Sequence, residues 1–410
     1  MSGRATGAAR APRVACKRES VVVTRFGPAE AVYVFDHAGR LFSVWRADRL
    51  YRRALDGRIM EKYTDRSGPR PRKHRRFLDG RERAAILNDA AGAAGEALAA
   101  LRDGRAELLW SLHGPVDRTR AATLLEAAAG FDARAADVDA RRFEATYTPV
   151  SIVPPDRYLS VVVQITEGCH WNRCTFCSFY RNRPFRVKPL DQFVAHVDAV
   201  VAFFGDGLAL RRGIFLGDAN ALLLPTSDLV PRFEVLTQRL PDHTRDASAF
   251  IDVFTGHKRG AQDFALLRTL GLRRVYLGLE SGCDELLAAL NKPQTAAEAV
   301  ELVDTVRAAG VRAGVIVMAG IGGRPAWSKH VDATVAALAR MRLGAGDLVY
   351  VSAFHAPDQG PYAEWARASG IPPLTDDDVA DQVDELRRRA ARVVGPGTRV
   401  APYDIEEFLY

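Results

Sequence analysis

The sequence is poor in cysteine, with five in 410 residues, and its N-terminus carries no apolar segment. Disulfide-stabilised secreted domains are shorter and denser in cysteine, so this class is excluded. The Arg- and Ala-rich N-terminus lacks the apolar h-region of a secretory signal. We therefore expect a disordered tail over residues 1–19, a cytoplasmic location, and cysteines that serve a metal or cluster site.

Long apolar runs are also scarce. The longest lie around Val161–Ile165 and Gly314–Ile321, well short of the roughly 20 residues that span a bilayer. We interpret both as buried strands and expect no membrane partner. The overall composition, 48% hydrophobic and 26% charged, is ordinary for a globular protein.

Lysine is rare, with seven among the 57 basic residues, so the net charge of +7 rests on arginine. The most basic stretch, residues 40–83, holds fifteen Lys or Arg against six Asp or Glu. It has two interpretations, a surface for RNA or a solvated linker, and the linker is favoured. Within it, Ser67–Arg76 has two prolines and no apolar periodicity, which indicates a loop. Residues 20–150 as a whole are predicted to form an α/β accessory region.

From Val161 onward, short β-branched runs alternate with amphipathic stretches. This alternation is typical of βαβ units and a parallel sheet. Right-handed crossovers would curl six such units into a partial or full TIM-like (βα)6 barrel over residues 155–356. We predict a C-terminal helical cap over residues 357–410. The six predicted strands are Val161–Ile165, Gly213–Leu216, Ala249–Phe254, Arg274–Leu279, Arg312–Met318 and Leu348–Val351.

Three cysteines, Cys169, Cys174 and Cys177, follow the first predicted barrel strand in a C-x4-C-x2-C spacing. Loops at the carboxyl ends of barrel strands carry active sites. Three thiolates on one loop can hold an iron–sulfur cube and leave its fourth iron open. A structural zinc site needs four ligands, and His170 is the only further candidate nearby. A [2Fe–2S] ferredoxin needs a fourth cysteine, and Cys283 is far away and better explained by packing.

On these residues the chain resembles the radical SAM superfamily from about residue 159 to residue 356. The superfamily motif is C-x3-C-x2-C with an aromatic residue before the last cysteine, a place that Phe176 fills. The chain departs from the motif by one extra residue between Cys169 and Cys174. Three further segments strengthen the resemblance, at residues 214–220, 275–282 and 315–323, and Asn291-Lys292 continues it.

The resemblance implies a [4Fe–4S] cluster on the three cysteines. It also implies reductive cleavage of S-adenosylmethionine to a 5′-deoxyadenosyl radical, with electrons from a reductase or a flavodoxin- or ferredoxin-type donor. Residues of the three segments would contact S-adenosylmethionine. Beside Phe176, the expected cofactor contacts are Gly217, Asp218 and Asn220 for the amino end, Glu280 and Ser281 for ribose or the methionyl group, and Gly320 and Gly322 for adenosine.

Each of these residues also has a structural interpretation: Asp218 or Asn220 can cap a helix, Glu280 can pair with an arginine, and the glycines can form turns. Three functions compete. The favoured one is a radical SAM enzyme with a small-molecule substrate. RNA modification is second, and electron transfer without turnover is third. His257, Lys258 and Arg259 are further candidates for anion contacts.

Overall fold

The computed structural model describes residues 10–27, 29–68, 71–109, 117–256 and 259–410. The chain divides into two compact units. The N-terminal unit comprises Met1–Pro149, Ala199–Arg211 and Leu409–Tyr410, and the barrel unit comprises Val150–Asp198 and Arg212–Phe408. The predicted anion contacts His257 and Lys258 lie outside the described residues.

The N-terminal unit is built on one eight-stranded sheet with the order β7-β6-β5-β4-β3-β2-β1-β8. Neighbouring strands are antiparallel from β1 to β7, and β8 pairs in parallel with β1. The strands are β1 Arg13–Cys16, β2 Val21–Arg25, β3 Ala31–Phe35, β4 Leu41–Arg46, β5 Arg49–Arg53, β6 Ile59–Asp65, β7 Arg72–Phe77 and β8 Glu107–Leu108.

Among the described residues, three helices lie wholly within this unit: α1 Gly80–Arg102, α2 Arg118–Ala129 and α3 Ala133–Thr146. Each begins after an aspartate whose side chain accepts hydrogen bonds from the first turn, which satisfies amides that have no partner within the helix. Alanines of α1 and α2 pack with alternate residues of β2 and β3 in one hydrophobic core. The small side chains allow the helices to approach the sheet closely.

Two expectations for the N-terminal unit are wrong. Arg13–Cys16, expected in a disordered tail, forms β1 and pairs with β2 over four residues. Arg72–Phe77, expected in a loop within a solvated linker, forms β7 and pairs with β6. The missing signal was hydrophobic periodicity: β7 is an exposed edge strand, so both of its faces are polar, and ion pairs such as Arg76–Glu61 at 2.7 Å replace apolar packing.

The barrel unit contains a seven-stranded sheet with the order β17-β16-β15-β14-β13-β12-β9, parallel throughout. Among the described residues β9 pairs with β12 alone and β17 with β16 alone, so the sheet is an open, partial TIM-like barrel. Its strands are β9 Val161–Gln164, β12 Ile214–Gly217, β13 Ala247–Phe250, β14 Leu272–Glu280, β15 Arg312–Ala319, β16 Leu348–Ala353 and β17 Arg399–Tyr403. A separate ladder joins β10 Thr166–Glu167 to β11 Arg186–Val187.

Helices connect successive strands, as the alternating pattern predicts. Those after residue 189 are α4 Leu190–Phe204, α5 Thr226–Arg239, α6 Pro241–Thr244, α7 Val253–Gly256, α8 Ala261–Thr269, α9 Asp284–Ala289, α10 Ala296–Ala308, α11 Gly323–Arg340, α12 Pro361–Ala368 and α13 Asp376–Val393. The predicted parallel α/β barrel architecture is confirmed.

The C-terminal segment is not only helical. After α13 the chain adds β17 as a seventh parallel strand beside β16, so the barrel extends beyond the predicted boundary at residue 356. The proline in RVAPY disfavours a strand in the sequence, but β17 lies at the sheet edge, where proline is tolerated.

One apolar stretch was overlooked in the sequence. Leu190–Leu210 covers 21 residues with a mean hydropathy of 1.6, long and apolar enough to cross a membrane by length and composition. Core helices of globular proteins pass the same test. Here Phe193, Val197 and Val200 are fully buried inside the protein, as in a core helix.

Candidate active site

The three cysteines lie on a long loop whose two ends are joined by the short β10–β11 ladder. Glu167, in β10, accepts hydrogen bonds from Arg186 at 2.6 and 3.0 Å and contacts Lys188. The Arg186 hydrogen bonds, together with Lys188, outweigh burial and lower the pKa of Glu167 to about 2. Ion pairs between Glu167 and the two cations Arg186 and Lys188 therefore hold the two ends of the loop together.

The loop packs against the residues that follow α9. Thr175 N donates to Leu290 O at 3.0 Å, and the Trp171 indole donates to Asn291 O at 2.9 Å. In return, Asn291 Nδ2 donates to Arg173 O at 3.0 Å. Within the loop, Arg181 donates to the carbonyl oxygens of two of the cysteines, at 2.9 and 3.0 Å. These hydrogen bonds hold the cysteine-bearing backbone in place.

All three cysteines are free and partly buried. Burial raises the pKa of Cys174 to about 12 and that of Cys177 to about 11, while the Lys292 ammonium acts in the opposite direction on both. A tetrahedral zinc with Zn–S bonds of about 2.3 Å needs sulfurs roughly 4 Å apart. Among the described residues, the set of ligand atoms that all lie within 4.8 Å of one another is His355, Asp404 and Glu406, and it does not include the cysteines.

A cavity of about 390 Å³ opens beside the cysteine loop, at the carboxyl ends of the parallel strands. Its wall includes Phe176 and Cys177 from the loop and Glu280 from the end of β14. The Phe176 ring also packs against a small apolar cluster that contains Cys283, and Lys292 Nζ lies 6.0 Å from the ring centroid. The aromatic residue before the last cysteine thus lines the cavity.

Glu280 and Lys292 form a buried ion pair in the cavity wall, with Nζ and Oε1 2.7 Å apart. Burial alone would lower the pKa of Lys292, but Glu280 and Cys174 outweigh it and the net shift is upward. Gly278 leaves room for the pair, because a Cβ there would lie 2.0 Å from Glu280 Oε1. The partner of Glu280 is a lysine rather than the arginine considered in the sequence.

Asp218, predicted to hold the amino end of the cofactor, is committed to protein contacts. Its carboxylate accepts from Gln164 Nε2 at 2.9 Å, from Gly168 N at 3.0 Å and from Arg183 Nη1 at 2.9 Å. Burial raises its pKa despite these hydrogen bonds. Gly217 precedes it as the buried end of β12. In this structure Asp218 holds the cysteine loop in place through its hydrogen bonds with Gly168, before the first cysteine, and Arg183, after the last.

Asn220 is buried, and its Nδ2 donates to Asp252 and, at 2.8 Å, to Thr255 Oγ1. Its Oδ1 is buried without a hydrogen-bond partner. Both ring nitrogens of His170 lack a partner as well, although Nε2 lies 3.4 Å from Asp252 Oδ2 without hydrogen-bond geometry. A buried polar atom without a hydrogen-bond partner costs free energy. Asn220 and His170, beside the cysteine loop, therefore offer polar atoms to which a ligand could bind.

The other residues predicted to contact the cofactor are Ser281, Gly320 and Gly322, and in the structure they make contacts within the protein. Ser281 is fully buried, its Oγ 2.8 Å from His330 Nδ1, and it is not among the residues that line the cavity. Gly320 and Gly322 have φ of +94° and +79°, which L-side chains rarely adopt. Their amides donate to Gln382 and Tyr362, so both glycines form a turn before α11, the structural interpretation considered in the sequence.

Sequence reasoning missed several residues of the cavity wall. Asp252 follows β13 and His355 follows β16, and both are polar residues just after a parallel strand, a signal that was available. Tyr403 and Glu406 were missed because β17 was not predicted. Arg259, a candidate anion contact, instead donates to Leu222 O at 3.1 Å and is buried in a structural role.

Comparison with known proteins identifies the region that contains the cysteine loop. Residues 163–331 match the family model of the radical SAM superfamily. A tRNA-2-methylthio-N(6)-dimethylallyladenosine synthase from Opitutus terrae is 28% identical over 159 residues. This match covers 38% of the chain and 32% of the relative, so the chain spans about a third of the relative's length.

Solved structures that align with part of the chain include coproporphyrinogen III oxidase (HemN) from Escherichia coli. Its TM-score is 0.41 at 15% identity, over 58% of this chain and 53% of that one. Elp3 from the archaeon Methanocaldococcus infernus has a TM-score of 0.39 at 9% identity, over 58% and 56%. TM-scores below 0.5 do not establish a common fold on their own, so the assignment depends on the family model.

Residues 163–331 are therefore a radical SAM superfamily domain. The cofactors of this superfamily are a [4Fe–4S] cluster and S-adenosylmethionine. The residues present fit these groups. Three thiols share one loop, a cavity of about 390 Å³ adjoins them, and Asn220 Oδ1 lacks a partner beside the loop.

Proposed function

We propose that Cys169, Cys174 and Cys177 bind the [4Fe–4S] cluster and that S-adenosylmethionine occupies the adjoining cavity. The observation that carries this proposal is Cys177, which belongs both to the three-cysteine loop and to the cavity wall. When bound, the two cofactors supply the reductive cleavage of S-adenosylmethionine to methionine and a 5′-deoxyadenosyl radical.

The chain's own residues prepare this site. The Lys292 ammonium favours the thiolate forms of Cys174 and Cys177, which counteracts their burial. Asp218 fixes the start of the loop through Gly168. The unpartnered Asn220 Oδ1 is the acceptor that we propose for the ammonium group of S-adenosylmethionine, in place of Asp218, whose carboxylate accepts three hydrogen bonds from the protein.

The test is anaerobic reconstitution with iron and sulfide, followed by reduction and EPR spectroscopy with and without S-adenosylmethionine. We expect a [4Fe–4S] signal that changes when the cofactor is added, and formation of 5′-deoxyadenosine. Cys174→Ala should lose both. The matched control is Cys283→Ala, a buried cysteine outside the loop, which should retain both. Zinc without iron, or a [2Fe–2S] signal indifferent to the cofactor, would contradict the proposal.

The favoured substrate is a small molecule, and RNA modification is the competing candidate. A specific observation supports RNA. Cross-strand pairing aligns Trp45, Leu50, Lys62 and Arg75 on the sheet face opposite the hydrophobic core. Phe77 shares this face, and Trp45 and Phe77 are 49% and 43% exposed. Cations beside exposed aromatic rings are the elements that bind single-stranded nucleic acid.

Two further cations, Arg52 and Lys73, lie on the same face by register. The relative from Opitutus terrae is named for a tRNA modification, so tRNA is the appropriate probe. Lys62→Gln, Lys73→Gln and Arg75→Gln combined should reduce the slope of log K against log[salt] by about 2, if each cation contacts one phosphate. A control with three exposed arginines of the same unit changed to Gln, at residues 81, 105 and 134, should keep the slope.

If the wild-type protein binds no tRNA even at low salt, the RNA candidate is wrong and the small-molecule substrate stands. Equal slopes for the two triple variants would show binding elsewhere on the protein. The measurement does not involve the cluster, so it separates the substrate class from the cofactor proposal.

A further inference from the structure

A second cluster of ligand-type side chains lies at the carboxyl ends of the last two strands. His355 follows β16, and Asp404 and Glu406 follow β17. One ligand atom from each lies within 4.8 Å of the other two. His355 and Glu406 also line the cavity beside the cysteine loop. Parallel β/α barrels place their ligand-binding groups at this end of the strands.

The turn that carries the two carboxylates is held in shape. Glu406 N donates to Asp404 Oδ1 at 3.0 Å, and Asp404 thereby caps a short 3₁₀ turn, Ile405–Glu407. The capped turn therefore keeps the two carboxylates close together and close to His355.

An independent observation at the same place also indicates a missing ligand. Tyr403 lines the cavity, is only 4% exposed, and its hydroxyl has no hydrogen-bond partner. A buried phenol normally finds a partner; a water or anion held at the neighbouring cluster would provide one.

We propose that His355, Asp404 and Glu406 bind a divalent cation of the Mn²⁺ type at the mouth of the cavity. One imidazole and two carboxylates suit such an ion, whereas the thiols of the cysteine loop prefer softer metals. Three protein ligands leave coordination positions open for water or an oxygen of the substrate. Tyr403 donates its hydrogen bond to that bound oxygen. This proposal does not depend on which residues hold the iron–sulfur cluster.

The test is a titration of the full-length, cluster-free protein with Mn²⁺, in which the EPR signal of free Mn²⁺ reports binding. We expect one saturable site. His355→Ala and Glu406→Gln should each weaken it at least tenfold. Tyr403→Phe should weaken it roughly two- to tenfold, the effect of one lost hydrogen bond. The matched control is Asp358→Asn, an exposed carboxylate of the same unit, which should leave binding unchanged.

Two controls show whether a loss of Mn²⁺ binding arises at the proposed site. His355 and Glu406 are exposed, so their variants should retain the wild-type circular dichroism spectrum and melting temperature. The variant Cys174→Ala should bind Mn²⁺ as the wild type does, which excludes the cysteine loop as the site. The proposal is overturned if the wild type shows no saturable binding, or if His355→Ala and Glu406→Gln bind Mn²⁺ as tightly as Asp358→Asn.

Discussion

The parallel sheet of the barrel unit has two ends, and polar side chains gather at both. At the amino end, Asp156 accepts hydrogen bonds from Arg274 at 2.8 Å, from Tyr276 at 2.6 Å and from Tyr350 at 2.9 Å. Beside it, Arg157 makes two hydrogen bonds to one aspartate, at 2.6 and 3.2 Å. Gly314 makes room for the Tyr276 ring, because a Cβ there would lie 2.3 Å from it.

At the carboxyl end of the sheet, by contrast, polar groups surround an open space. The space between the strand ends is an open cavity, and several buried polar atoms near it lack partners, among them Asn220 Oδ1 and Tyr403 Oη. The charged groups that are paired there, Glu280 and Lys292, leave the cavity open.

The difference shows how one sheet separates stability from function. At the amino end, Asp156 is hydrogen-bonded by groups from β14 and β16, so this network links neighbouring strands and contributes to folding. Polar groups at the carboxyl end are held in place by neighbouring residues but left incomplete, which makes them available to ligands. Substitutions at the two ends should therefore affect different measurements.

The largest effect on stability is expected for Asp156→Ala. It removes the shared acceptor of three donors and leaves Arg274 without its carboxylate partner. We expect the free energy of unfolding to fall by about 3 kcal/mol, measured by urea denaturation of the iron-free protein. The iron content of the protein that remains folded should stay at the wild-type value. Loss of iron with an unchanged free energy of unfolding would contradict the difference between the two ends of the sheet.

The next effect depends on pH. His330 is buried between Ser281 Oγ and Met318 O, each 2.8 Å from a ring nitrogen, and burial lowers its pKa from 6.5 to about 4. The unfolded chain takes up this proton below pH 6.5, whereas the folded chain does so only near pH 4. The contribution to stability is thus complete above pH 6.5 and falls as the pH drops towards 4, by up to about 3 kcal/mol.

His330→Gln removes this titration. The difference in unfolding free energy between wild type and variant should therefore shift in favour of the variant as the pH falls from 6.5 to 4. Urea denaturation at several pH values measures it. A difference that is constant over this range would show that His330 is not buried in its neutral form.

A smaller effect is expected for Tyr350→Phe. The variant keeps the ring and removes one of the three donors to Asp156. Because Arg274 and Tyr276 still satisfy the carboxylate, the loss should be about 1 kcal/mol. Thermal unfolding of Tyr350→Phe and Asp156→Ala under the same conditions would show whether loss of the acceptor costs more stability than loss of one donor. Equal losses for Tyr350→Phe and Asp156→Ala would contradict the network described here.

The sequence predicted the parts of the fold that apolar patterning controls. All six expected barrel strands are present, but Ala249–Phe254 is displaced to Ala247–Phe250, and Val253 and Phe254 begin helix α7 instead. Two of the elements that it missed, β7 and β17, are edge strands in which polar side chains or a proline hide the periodicity. Edge strands have a neighbour on one side only, so their sequences carry less of the apolar signal.

The candidate site was predicted unevenly for a related reason. The cysteine spacing is local in the sequence, so the loop was found directly. Which carboxylate takes part in contacts within the protein depends on the tertiary structure, and the sequence could not show that Asp218 accepts hydrogen bonds from Gln164, Gly168 and Arg183. Nor could it bring together His355 and Glu406, which come from two separate strand ends.

The smallest effect on stability is expected for Cys177→Ala, at the other end of the sheet. Cys177 lines the open cavity, so removing its sulfur enlarges an existing space and creates no closed void, and the cavity penalty of a core truncation is absent. We expect the unfolding free energy of the iron-free protein to change by less than about 1 kcal/mol, while bound iron and 5′-deoxyadenosine formation are lost. A loss of several kcal/mol would instead make Cys177 a structural residue like Asp156, and the two ends of the sheet would no longer differ.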